Sequence, residues 1–193
     1  MATLFNLPKE IVVWDSEFTC WPGSEKRAWT GPSESRELVQ IGAVRIRTAD
    51  LAELDTFEVF IKPIVRPILS DYFIKLTGIT QAEVDKRGRP FKEACQRFFD
   101  WVGSADLYAW SAGDFYTLVE NCKIAGIILP IRADRFFDIR MVFWKKGIPA
   151  ECYQSSTIIK AFKQKPKYQG HNALNDTRTI IDGLRALSKK SNN

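Results

Sequence analysis

Apolar positions along this chain follow two rhythms, and the change from one to the other predicts its elements. Residues 11–14 are an unbroken apolar run, Ile-Val-Val-Trp, as expected of a strand covered on both faces; the carboxylates of Asp15 and Glu17 follow directly. Residues 37–47 and 54–62 predict two more strands. In the second of these, Phe57, Val59 and Ile61 alternate with polar neighbours apart from Phe60. The short polar link at 48–53 suits an antiparallel pairing of the two, and Pro63 and Pro67 end it. Between the first and second strands, residues 21–36 are polar, contain glycine and proline, and read as a surface loop.

From residue 70 the period lengthens. Ser70 is placed to cap a helix over 71–76, Thr77-Gly78-Ile79 breaks it, and Thr80 with Glu83 forms the capping box of another. Phe91, Cys95, Phe98 and Val102 fall on one stripe of a helix over 91–102. Short apolar runs at 107–110 and 136–137 predict a fourth and a fifth strand, followed by helices over 114–125 and 139–146. Ser156 opens a further short helix, and over 173–187 Thr177, Ile180, Ile181, Leu184 and Leu187 share one helical face. Residues 188–193 are expected to fray. A three-strand meander followed by alternating helices and strands implies an α/β fold: a mixed five-stranded sheet flanked by helices on both faces. Sites in such sheets gather near the carboxyl ends of the central strands, where Asp15 and Glu17 stand.

Composition narrows the class. With 193 residues, 45% of them hydrophobic, and 13 Phe and 6 Trp, the chain suits one domain over 1–193 with a core from about 11 to 187. No run approaches the roughly 20 apolar residues of a membrane span, and the first residues lack a basic-then-apolar leader. The cysteines Cys20, Cys95, Cys122 and Cys152 are scattered without zinc spacing, which points to reduced thiols and a cytoplasmic location. A net charge of +5 permits a polyanionic partner. Lys160, Lys163, Lys165 and Lys167, with Tyr168 beside them, gather just before His171 and are expected near the backbone of such a partner.

The candidate chemistry starts from Asp15 and Glu17. Their i, i+2 spacing aims both side chains at one side of the sheet: either they end the strand in solvent, or burial and mutual repulsion are offset by a divalent cation such as Mg²⁺. Asp114 follows the fourth strand, at a position that also suits the first turn of a helix. Asp176 shares the apolar face of the last helix, so it should be paired or metal-bound, whereas Asp182 lies off that stripe and reads as solvated. His171 is the single histidine, between Gly170 and the expected N-cap Asn172.

Asp15-x-Glu17, then Asp114, then His171-x-Ala173-x-x-Asp176 resembles the DEDDh family of 3′→5′ exonucleases, whose domain is ribonuclease H-like. Residues 14–21 (Trp-Asp-Ser-Glu-Phe-Thr-Cys-Trp), 37–44 (Glu-Leu-Val-Gln-Ile-Gly-Ala-Val), 68–73 and Leu76-Thr77-Gly78-Ile79-Thr80 are similar to its ERI-1-like branch, also called inhibitor-of-KinA or Snipper-type. Gln40 departs from the Glu carried by many relatives. The resemblance covers about residues 11–187. It implies two divalent cations, Mg²⁺ or Mn²⁺, held by Asp15, Glu17, Asp114 and Asp176, with His171 as general base. It also implies that Phe18, Thr19, Leu76 and Thr77 contact the substrate's last nucleotides. The expected activity is 3′→5′ hydrolysis of single-stranded or overhanging nucleic acid, RNA favoured. A DNA exonuclease, an enzyme on very short RNA and a non-catalytic nucleic-acid-binding module stay open as alternatives.

Overall fold

A computed structural model describes residues 4–191. Strand β1 (Glu10–Phe18) pairs antiparallel with β2 (Leu38–Arg47), which pairs antiparallel with β3 (Ala52–Phe60). On its other side β1 pairs parallel with β4 (Leu107–Ala109), and β4 with β5 (Phe136–Asp138), giving the order β3-β2-β1-β4-β5. This is the mixed five-stranded sheet expected from the sequence.

The central strand separates two cores, which is why its apolar run is unbroken. Ile11 and Val13 pack with Val44 and Ile46 under the last helix, α6 (Ala173–Ser191), through Ile180, Ile181 and Leu184. Val12 and Trp14 face the other way, onto the Phe98 stripe of α3 (Phe91–Val102) and Leu118 of α4 (Ala112–Ile124). Burying each of these large side chains contributes about 1.5–3 kcal/mol, so the two faces fix the register of β1. The short helices α1 (Asp71–Thr77) and α2 (Gln81–Arg87) have the predicted caps, with Ser70 accepting from Phe73 N–H and Thr80 from Glu83 N–H. After β3, three backbone N–H groups of Ile64, Val65 and Arg66 converge on the buried Glu37 carboxylate at 2.6–2.9 Å.

Several boundaries differ from expectation. α5 is confined to Arg140–Trp144, because Asp138 turns back to accept from Arg140 N–H and starts it late. The short helix expected from Ser156 is a 3₁₀ stretch over Ser155–Phe162. α4 begins at Ala112, where the Ser111 hydroxyl caps it. The expected frayed tail is helical as far as Ser191, held by buried Ala186 and Leu187; Asn192 and Asn193 lie outside the described residues. Asp182 is buried and paired with Lys167 and Arg185 at 3.0 Å, so its reading as solvated is corrected. Among the described residues no helix is long and apolar enough to cross a membrane.

Candidate active site

β1, α4 and α6 bring four carboxylates into one cleft of about 330 Å³ at the carboxyl ends of β1 and β4. Asp15 and Glu17 point to the same side of the sheet, the side covered by α6, as their spacing requires. Asp114 stands in the first turn of α4. Its Oδ1 accepts from the Ser16 amide at 3.1 Å and the Ser16 hydroxyl at 2.7 Å, which clips α4 to the end of β1. Asp176 stands in the first turn of α6, which Asn172 caps through Asn175 N–H (3.1 Å) and Asp176 N–H (2.8 Å). His171, one residue before that cap, has a left-handed backbone (φ 60°), and its amide donates to Asp176 Oδ2 at 3.1 Å.

The loop carrying His171 lies against the 3₁₀ turn that begins at Ser155. A Cβ on Gly170 would stand 2.9 Å from Ser156 Cβ, so only glycine allows this approach. In this position the ligand atoms of Glu17, His171 and Asp176 lie within 4.8 Å of one another.

The electrostatics of the cluster follow from burial. Desolvation raises the pKa of Asp15 well above the ordinary carboxylate value, and the charges of Asp114, Asp176 and Glu17 add to it. Glu17 is raised for the same reasons, with Asp176 and Asp114 as its neighbours. Burial pushes Asp176 up to about 7 and Asp114 up to about 6; the hydrogen bonds from Ser16 hold Asp114 back. The Ser155 hydroxyl works against the rise at Asp15 and Asp176. Burial also depresses the His171 pKa, favouring the neutral ring. Oδ1 of Asp176 is buried and accepts no hydrogen bond among the described residues. Four buried acids and one orphaned carboxylate oxygen make a donor set suited to hard divalent cations.

The proposed substrate residues divide. Phe18 lines the cleft and also a second cavity of about 650 Å³ beside it, which Leu76 shares. Thr19 and Thr77 are buried, with hydroxyls committed inside the fold: Thr19 donates to Ser35 C=O and accepts from Glu37 N–H, and Thr77 donates to Phe73 C=O and accepts from Ile79 N–H. Neither lines a cavity at the site. The loop at 21–36, expected to be plain surface, supplies a wall of the second cavity. Trp29 there packs its ring 5.4 Å from Phe18, and the Arg36 guanidinium lies 5.1 Å from the Trp29 ring. Ala28 and Trp29 both have left-handed backbones, which hold that tryptophan inward.

Arg140, Tyr153 and Ser155 also line the cleft, and none was singled out from the sequence. The one legible sign was Asp138-x-Arg140 at a strand end, now a bidentate pair with the guanidinium over Trp144. Of the lysines before His171, Lys167 pairs with Asp182 at 3.0 Å. Lys163 borders a cavity with Lys189 and Lys190 at the far end of α6, about 20 Å of helix from Asp176 at about 1.5 Å per residue.

A family model described as exonuclease (RNase_T) matches residues 12–184. The chain is 28% identical over 187 residues to "3′-5′ exoribonuclease 1" of Rattus norvegicus, covering 88% of this chain and 50% of that protein. It is 27% identical over 196 residues to "3′-5′ exonuclease Snipper" of Drosophila melanogaster, covering 88% of this chain and 66% of that one. It spans about half the length of the first of these curated relatives. The fold is similar to the crystal structure of the nuclease domain of 3′hExo, a DEDDh family member bound to rAMP. The TM-score is 0.80 and the identity 23%, covering 94% of this chain and 92% of that one. The cell-death related nuclease 4 (CRN-4) structure gives a TM-score of 0.76 at 15% identity, over 94% of this chain and 64% of that one.

Proposed function

The chain belongs to the RNase_T exonuclease family and its ERI-1-like DEDDh branch, and from that premise we propose that it removes nucleotides from the 3′ end of single-stranded or overhanging nucleic acid, RNA in preference to DNA. One observation carries the reading: Asp15, Glu17, Asp114, His171 and Asp176 line a single cleft, and Asp176 keeps a buried oxygen without a partner. The preference for RNA is supported by the similarity to 3′-5′ exoribonuclease 1. We take residues 11–187 as one exonuclease domain.

In this reading Asp15, Glu17, Asp114 and Asp176 hold two divalent cations, Mg²⁺ or Mn²⁺. When bound, these supply the positive charge that polarises the scissile phosphodiester and makes the attacking water more acidic. Every other part is played by the chain. Ser16 fixes the Asp114 carboxylate, and the first turn of α6 fixes Asp176. His171, kept neutral by burial, takes the proton from the attacking water at its unprotonated ring nitrogen. The apolar walls of the adjoining cavity, Phe18, Trp29 and Leu76, receive unpaired bases, where stacking contributes about 1–3 kcal/mol per base. Arg36 and Lys26 in the same cavity meet the phosphates.

The deciding experiment digests matched 3′-labelled and 5′-labelled single-stranded RNA and DNA with Mg²⁺, Mn²⁺ or EDTA, beside Asp15→Ala. The expected result is shortening from the 3′ end, faster on RNA, that EDTA and Asp15→Ala both abolish. Faster loss of DNA reassigns the substrate, and cleavage confined to the shortest RNAs reassigns its length. Tight binding without cleavage under any metal overturns the enzymatic reading.

A further inference from the structure

We propose that Gln40 is a positioning residue, which fixes the first turn of α6, and with it His171 and Asp176, to the sheet. Its kinetic readout rests on the exonuclease reading above. Gln40 stands opposite Glu17 in the β1–β2 register and is completely buried. Both ends of its amide are used. Oε1 accepts from Ala173 N–H at 2.9 Å, and Nε2 donates to Glu58 Oε1 at 2.9 Å. The other Glu58 oxygen accepts from Arg87 at 2.9 Å, and Arg87 lies 4.1 Å from the centre of the Phe60 ring. A run of hydrogen bonds thus ties the start of α6 through β2 and β3 to α2.

The bond to Ala173 matters because that amide is one of the unpaired donors every helix start carries. Ala173 is fully buried, so water does not substitute for Gln40. Close approach secures the same turn: a Cβ on Gly42 would stand 2.2 Å from Leu174 N, and the Thr177 hydroxyl donates to Gly42 C=O at 3.1 Å. Ala173 lies between His171 and Asp176 in the chain, so sliding this amide moves both groups. A displacement of about 1 Å in such a site costs on the order of 10²-fold in rate.

The polarity of residue 40 follows from its two partners. A carboxylate there would still accept from Ala173. Its second oxygen would face Glu58 Oε1 with no proton between them, on the face of the sheet that already carries Asp15 and Glu17. An amide supplies the missing donor and adds no charge.

The test compares wild type, Gln40→Glu, Glu58→Gln and the double variant in two measurements: Mg²⁺-dependent kinetics on 3′-labelled single-stranded RNA, and NMR hydrogen exchange at the Ala173 amide. Gln40→Glu is expected to lower kcat about tenfold or more, with KM changed less than about twofold, and to speed exchange at Ala173. Glu58→Gln should stay within about twofold of wild type, because glutamine still offers an acceptor to Gln40. The double variant exchanges donor and acceptor between the two positions, and should restore kcat to within about threefold and slow the exchange again. Wild-type kcat in Gln40→Glu, or a loss that Glu58→Gln does not relieve, overturns the proposal. If Gln40→Glu alone does not fold, a folded and active double variant supports the clamp and a folded, inactive one overturns it. If the wild type degrades no nucleic acid, the exonuclease reading fails, and exchange at Ala173 still decides the clamp.

Discussion

The backbone amide of His171 donates to Oδ2 of Asp176 at 3.1 Å. The main chain, not the imidazole, therefore holds the Asp176 carboxylate, and the ring is left for chemistry. Replacing His171 by Gln should lower kcat about 10²–10⁴-fold while Mn²⁺ binding, followed by calorimetry, persists. An equal loss of Mn²⁺ affinity would make the ring a metal ligand instead, which its position within 4.8 Å of Glu17 and Asp176 allows.

Removing a buried charge should trade function for stability. Asp176→Asn is expected to abolish cleavage and to raise the melting temperature in EDTA, because it relieves repulsion within the cluster and a carboxylate oxygen without a partner. For a chain of this size each kcal/mol relieved appears as about 2–4 °C. A melting temperature that falls would mean the charge is compensated in the cation-free protein.

The same cluster sets a pH dependence whose sign can be worked out. Asp114 at about 6 and Asp176 at about 7, with Asp15 and Glu17 also raised, bind protons more tightly folded than unfolded. Their contribution to stability is complete below the unfolded value near 4 and is lost as pH rises through 6 and 7. His171 is depressed and opposes this as one group against four. In EDTA the melting temperature should fall between pH 5 and 8, and saturating Mg²⁺ should reverse much of that fall. Scanning fluorimetry across that range, with and without the cation, checks both.

Adjacent residues of α1 should separate by effect. Leu76→Ala opens the second cavity and should raise KM through the loss of apolar contact with a bound base. Thr77→Val removes a hydroxyl bonded within the helix end and should cost about 1–3 kcal/mol of stability with KM unchanged. Steady-state kinetics beside urea melts distinguish them, and a KM shift in Thr77→Val would return that residue to the substrate.

Salt dependence locates the phosphates. Arg36→Ala and Lys26→Ala should each lower the slope of log affinity against log salt by about 1, while Lys163→Ala with Lys189→Ala should leave it unchanged. The opposite pattern would move the entering strand to the far end of α6.

What was legible in the sequence was whatever a local period can encode. The unbroken apolar run of β1 placed Asp15 and Glu17 at a strand end, and the stripe of α6 placed Asp176 on a buried face. Ser16 gave no such signal, since its clip to Asp114 joins residues far apart in the chain. Ser155, which opens the 3₁₀ stretch, and Tyr153, two residues before it, reach the cleft from positions that no apolar period marks. Motif position did not say which way the Thr19 and Thr77 hydroxyls point, and both are bonded inside the fold. Nearness to His171 along the chain is not nearness in space: the 3₁₀ stretch carries Lys163 to the other end of α6.

The cleft draws on residues from both ends of the described chain, since Asp15 stands on the first strand and Asp176 on the last helix. During synthesis the β1–β2–β3 meander can form while α6 is still inside the ribosome, and until then two of the five groups are missing. A chain that lacks α6 therefore carries an incomplete site. Stalled chains ending before residue 170 should bind Mn²⁺ weakly and cut nothing, and cleavage by such a chain would refute this order of assembly.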